Sequence, residues 1–81
     1  MADEQITERI EALVKEEHEL LDRGGSEHGL DEAGHARLEE VRVELDRYWD
    51  LLRQRRARRR AGQDPEGASP RDPDTVEHYL Q

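Results

Sequence analysis

Residues 31–61 read DEAGHARLEEVRVELDRYWDLLRQRRARRRA, and the fold turns on this stretch. Leu38, Val41, Leu45, Tyr48 and Leu52 recur three and four apart, which places them on one face of a helix. Trp49 and Leu51 widen that stripe. An arginine block follows: Arg53, Arg55, Arg56, Arg58, Arg59 and Arg60. Asp31 is suited to cap the helix start, with Glu32 in the first turn. Gly62 is a natural stop, and arginines suit the negative helix terminus. The pattern predicts one long helix over residues 31–61, with a packing seam and then a cationic end.

Upstream, residues 23–30 read RGGSEHGL. Glycines so dense break a helix, and either Gly24 or Gly25 can take the left-handed conformation that ends one. Before them, residues 3–22 carry Ile6, Ile10, Leu13, Glu17 and Leu20 at helical spacing, with Val14 and Leu21 alongside. Asp3 is the expected cap of this first helix. A short connection places the two helices antiparallel. Counting outward from the turn, Leu13 meets Leu38 and Val41, and Ile6 meets Tyr48. The first helix is then exhausted, so Trp49, Leu52 and the arginines are expected at or beyond its end.

Downstream, residues 62–75 hold all three prolines and read as a flexible linker. The last segment, residues 75–81, is TVEHYLQ. Val76, Tyr79 and Leu80 restore apolar character there. Two readings stand: an unstructured end, or a docking peptide that covers Trp49 and Leu52 in cis or on a neighbour. The expected division is a hairpin over residues 1–61 and a tail over residues 62–81.

The chain has 81 residues, 32% apolar and 42% charged. A domain so small is marginal alone, and two amphipathic helices bury one side of each seam. The expected architecture is all-α, an antiparallel helical hairpin that forms a homodimer, most simply a four-helix bundle. The absence of cysteine excludes disulfides, thiolate zinc sites and a cysteine nucleophile. The acidic N-terminus, MADEQITERI, has no apolar run, and no stretch approaches a membrane span. A soluble cytoplasmic protein is expected.

The net charge is −8, distributed unevenly. Residues 1–52 hold 16 acids and 6 bases, whereas residues 53–61 hold 6 arginines and no acid. A cationic helix end can grip phosphates, making Arg53, Arg56 and Arg60 candidates for nucleic acid. The acidic body repels nucleic acid at range, and no aromatic interleaves with the arginines. The favoured reading is a solvated helix end, or one paired with the acidic linker or with a neighbour's acidic helix, and nucleic-acid binding is the alternative.

Glu32 and His35 have the Glu-x-x-His spacing of carboxylate-bridged metal bundles, and the hairpin brings Glu17 to the same height. That pattern arises easily in a glutamate-rich chain. Both residues also sit in the first helical turn, a poor place for a rigid ligand, so a di-metal site formed from two copies in a dimer stands only as a third reading, and no cofactor is expected. Thr7, Ser26, Ser69 and Thr75 have no histidine–carboxylate context, and no enzymatic activity is expected. The expected function is that of a small intracellular interaction or scaffold protein acting through helix packing and charge complementarity. Its candidate partner surface is Tyr48, Trp49 and Leu52 with Arg53, Arg56 and Arg60, joined by Val76, Tyr79 and Leu80.

Four segments carry a likeness to a known family: VKEEHEL (Val14 to Leu20), LDRYWDLLRQRRARR (Leu45 to Arg59), AGQDP (Ala61 to Pro65) and TVEHYLQ. At these the chain resembles the small proteins of high-GC actinobacteria catalogued as domain of unknown function 2630. The resemblance covers nearly the whole chain, with the glycine-rich loop matching least. It implies no activity, because that family has none assigned. It does imply that the terminal motif is part of the protein's design.

Overall fold

The computed structural model describes residues 2–25 and 27–70. Two helices, α1 (Asp3–Gly24) and α2 (Glu32–Arg60), form an antiparallel hairpin, with 3-10 turns at Glu27–Gly29 and Pro65–Gly67. The architecture is all-α, as the spacing predicts.

α1 starts one residue earlier than a cap at Asp3 would place it. Ala2 is the N-cap, and its backbone N–H donates to the Gln5 side chain at 2.9 Å. Asp3 is the first helical residue instead, and its carboxylate points to α2. The helix ends at Gly25, whose φ of 75° is the left-handed conformation that only glycine adopts without strain. The return is tight. A Cβ on Gly29 would lie 1.7 Å from the Gly24 carbonyl oxygen, so any side chain there would force the turn open.

α2 begins as expected, with the Asp31 carboxylate accepting from the Gly34 N–H at 2.8 Å. It closes in a Schellman arrangement: Gln63 N–H donates to Arg58 O at 2.7 Å, Gly62 N–H to Arg59 O at 3.1 Å, and Gly62 has φ 73°.

The core is Ile6, Ile10, Leu13 and Leu20 of α1 against Leu38, Val41, Leu45, Leu51 and Leu52 of α2. Ion pairs across the hairpin mark its register. Arg37 clasps Glu16, Arg9 meets Glu44 at 3.1 Å, and Arg42 meets Glu17 at 3.3 Å. Glu17, the acid that interrupts the apolar seam of α1, thus has its counter-charge from α2.

The expected overhang is shorter than the count from the turn suggests. Asp3 reaches Arg55 at 2.6 Å and Arg59 at 2.6 Å, so α1 extends to that height. Leu52 is therefore 3% exposed, part of the core and not of an open patch.

The chain then turns back on α2. Arg55 donates to the Pro65 carbonyl at 3.3 Å and pairs with Glu66 at 3.1 Å, and Ala68 packs against the core. Gln54 donates to both the Ser69 carbonyl at 3.0 Å and the Asp50 carboxylate at 2.9 Å. The terminal motif with Val76, Tyr79 and Leu80 lies outside the described residues.

Candidate interaction surface

A hairpin of two helices has two broad faces, and helical spacing assigns side chains to each. On one, Arg9 and Glu16 of α1 meet Glu44 and Arg37 of α2, and the returning chain lies beside them. Pro70, the last described residue, borders a small depression with Arg9, Glu44, Arg47 and Tyr48. Ion pairs and backbone cover this face.

The opposite face is built from Thr7, Ile10, Val14 and His18 of α1, at spacings of three and four, with Trp49 of α2 beside them. Together with Glu11, Lys15, Glu19 and Asp22 they line an open groove of about 660 Å³, in which Ile10, Val14 and Trp49 form the apolar part. Trp49 is the exposed large hydrophobic residue among those described, with 44% of its surface open. An exposed tryptophan over an apolar groove is what a binding surface provides, because aromatic anchors dominate interface energetics. Trp49 was expected to be exposed by overhang. It is exposed because it projects sideways, while Leu51 and Leu52 on either side of the seam are covered.

The arginine block divides in two. Arg55 is 5% exposed and Arg59 sits beside it, both donating to Asp3. Hydrogen bonds from Arg59 and then Arg55 hold the Asp3 carboxyl well below the usual carboxylate range. Arg53, Arg56 and Arg60 are exposed and continue the Trp49 face at spacings of four, three and four. The signal for this division is in the sequence: the seam Leu38, Val41, Leu45, Tyr48, Leu52 continues, three and four apart, into Arg55 and Arg59. Asp46 lies one turn before Trp49. Its carboxyl is pushed up by burial, against the opposing charge of Arg53.

Of the other residues singled out from sequence, Tyr48 is half-buried against the core and Glu17 is engaged by Arg42. Glu32 and His35 are exposed at the start of α2. Among the described residues, no three His, Asp or Glu side chains are grouped to hold a metal ion. No helix among them is long and apolar enough to cross a membrane. The signals missed in sequence were Asp3 as an ion-pair anchor and Thr7 and Val14 as groove walls. Asp3 looks like an ordinary cap residue, and the other two lie beside the main seam.

The chain belongs to the family described as Protein of unknown function (DUF2630), whose model matches residues 2–81. It is 42% identical over 80 residues to uncharacterised proteins of Mycobacterium bovis and of Mycobacterium tuberculosis strain H37Rv, covering 95% of this chain and 88% of each relative. No solved structure matches it.

Proposed function

We propose that this chain is a non-catalytic, cytoplasmic interaction module whose working surface is the Trp49 face. One observation carries the reading: the chain's sole tryptophan is 44% exposed over a groove with an apolar floor, on the face that the described part of the returning chain, up to Pro70, leaves open. Burying an aromatic side chain there contributes about 1.5–3 kcal/mol. A photo-crosslinking residue placed at Thr7 or Glu11 in living cells tests this. Specific products from these positions, and none from Arg47 on the covered face, are expected. Equal labelling from both faces would end the proposal.

A second reading uses the same arginines differently. Arg53, Arg56 and Arg60 are exposed on one stripe and make no hydrogen bond or ion pair among the described residues, which favours phosphate contacts. Filter binding to nucleic acid over a salt series decides it. Binding that falls steeply with salt and is lost in a chain with all three changed to glutamine would support it; no binding at low salt would exclude it.

A further inference from the structure

The charges that border the Trp49 groove identify what fits it. On the α1 side, Glu4, Glu8 and Glu11 are four and three apart, exposed, and form one stripe. On the α2 side, Arg53, Arg56 and Arg60 form a second exposed stripe. None of the six makes a hydrogen bond or ion pair among the described residues, although Arg53 acts electrostatically on Asp46. Both stripes lie at the same end of the hairpin, because Asp3 in the first turn of α1 meets Arg55 and Arg59 near the end of α2. At the open end Glu4, next to Asp3, is thus level with Arg53 and Arg56 beyond Trp49; Glu8 and Glu11 continue along α1 toward the turn, where Glu11 and Lys15 line the groove, and Arg60 lies at the far end of α2.

We infer that the occupant of this groove is a second copy of the chain, related by a two-fold axis parallel to the helices, so that α1 of each copy lies against α2 of the other. This rests on the reading of the Trp49 face as an interface. Rotation about that axis keeps height and exchanges left for right. It brings Glu4 of each copy toward Arg53 and Arg56 of its partner, and the two tryptophans come together across the apolar strip. Rotation about an axis across the helices would instead set the charged end against the turn, leaving both stripes without partners. All neighbouring helices in the proposed assembly are antiparallel, as in a four-helix bundle.

Area and charge both favour this occupant. The 22 residues of α1 give a face about 33 Å long at about 1.5 Å per residue, and two packed helices span about 20 Å. That is roughly 660 Å² from each copy, near the roughly 800 Å² per partner of a standard stable interface. A polyanion attracted to Arg53, Arg56 and Arg60 would be repelled by Glu4, Glu8 and Glu11 beside them. Pro70, the last described residue, lies on the opposite face, next to Arg9 and Glu44.

Two charge-swapped full-length chains test the pairing. One carries Glu4→Lys, Glu8→Lys and Glu11→Lys; the other carries Arg53→Glu, Arg56→Glu and Arg60→Glu. Sedimentation of the wild type over a concentration series should give a dimer. Each swapped chain alone should self-associate about 100-fold more weakly, from like charges at two equivalent contacts. An equimolar mixture should recover a dimer, because both contacts then join opposite charges. A helical mixture that stays monomeric would overturn the pairing. A wild type monomeric at every concentration would overturn the second copy outright. In that case, persistent crosslinks from Thr7 or Glu11 to another protein would leave the interface reading standing, and their absence would remove both. Val76→Ser, Tyr79→Ser and Leu80→Ser together should leave the dimer unchanged. A monomer whose Trp49 becomes open to quencher only in that triple variant would assign the groove to the chain's own end.

Discussion

The two faces of this hairpin are made from the same helices and differ in what their charges do. On the covered face, charge is consumed internally. Arg37 clasps Glu16, Arg9 meets Glu44, and the chain after α2 folds back to seat Glu66 against Arg55. On the open face Arg42, seven residues before Trp49, pairs with Glu17, but toward the open end Glu4, Glu8 and Glu11 and Arg53, Arg56 and Arg60 stay without ion pairs among the described residues. The difference teaches that net charge is a poor guide to this molecule. What matters is which charges have been paired by the fold and which remain to pair with something else.

The largest test of this contrast uses Leu51 and Trp49, two residues apart. Leu51→Ala opens a cavity beneath the covered face and should cost about 2–5 kcal/mol of unfolding free energy. Trp49→Ala removes a larger side chain, yet in dilute solution it should change stability by less than about 0.5 kcal/mol while abolishing concentration-dependent association. Urea titrations at low protein concentration, paired with sedimentation at high concentration, check both. Comparable losses of stability from the two would erase the distinction between the faces.

Adjacent arginines give the next comparison. Arg55→Met leaves Asp3 and Glu66 short of a partner and should lower the urea midpoint clearly, whereas Arg56→Met should leave it where it was. The reverse ranking would mean that the buried clasp is not what holds the hairpin's open end. The same clasp predicts an acid limb. The native pKa of Asp3 is depressed, so its contribution is fully present above the unfolded value near about 3.9 and is lost as pH falls toward the native value. Asp3→Asn should lower stability at neutral pH and flatten the melting temperature's decline below about pH 4. A wild type with no such decline would remove the clasp from the account.

The smallest effect expected is at Asp46, on the open face. Burial raises its pKa, the opposite sign, so its ionised form weakens the fold at neutral pH and the penalty is relieved on acidification. Asp46→Asn should raise the melting temperature slightly at pH 7 and not at pH 4. A decrease at pH 7 would show that Asp46 has a favourable partner, Arg53 being the nearest candidate.

Much of this was legible in the residues because it depends on neighbours along the chain. The seam from Leu38 to Leu52, the turn glycines, the Asp31 cap and the Gly62 stop all follow from spacing and local conformation. The cap at Asp3 did not, since a carboxylate in a first turn has no local reason to prefer an arginine some fifty residues away. The chain after Gly62 likewise has no apolar periodicity to announce that it packs on α2. Its hold comes from single contacts, Pro65 and Glu66 to Arg55 and Ser69 to Gln54.

The sequence by itself determined two helices, their antiparallel order and an arginine-rich end, because hydrophobic periodicity and glycine placement act within a few residues. The tertiary structure decided which apolar side chain stays open and which acid engages the seam arginines. Those outcomes depend on how far each helix is rotated about its own axis and on where a distant segment returns. The reach of α1 covered Leu52 and set Asp3 on Arg55 and Arg59, the continuation of the seam, while the rotation of α2 turned Trp49 outward with Arg53, Arg56 and Arg60 on the face that carries the proposed partner.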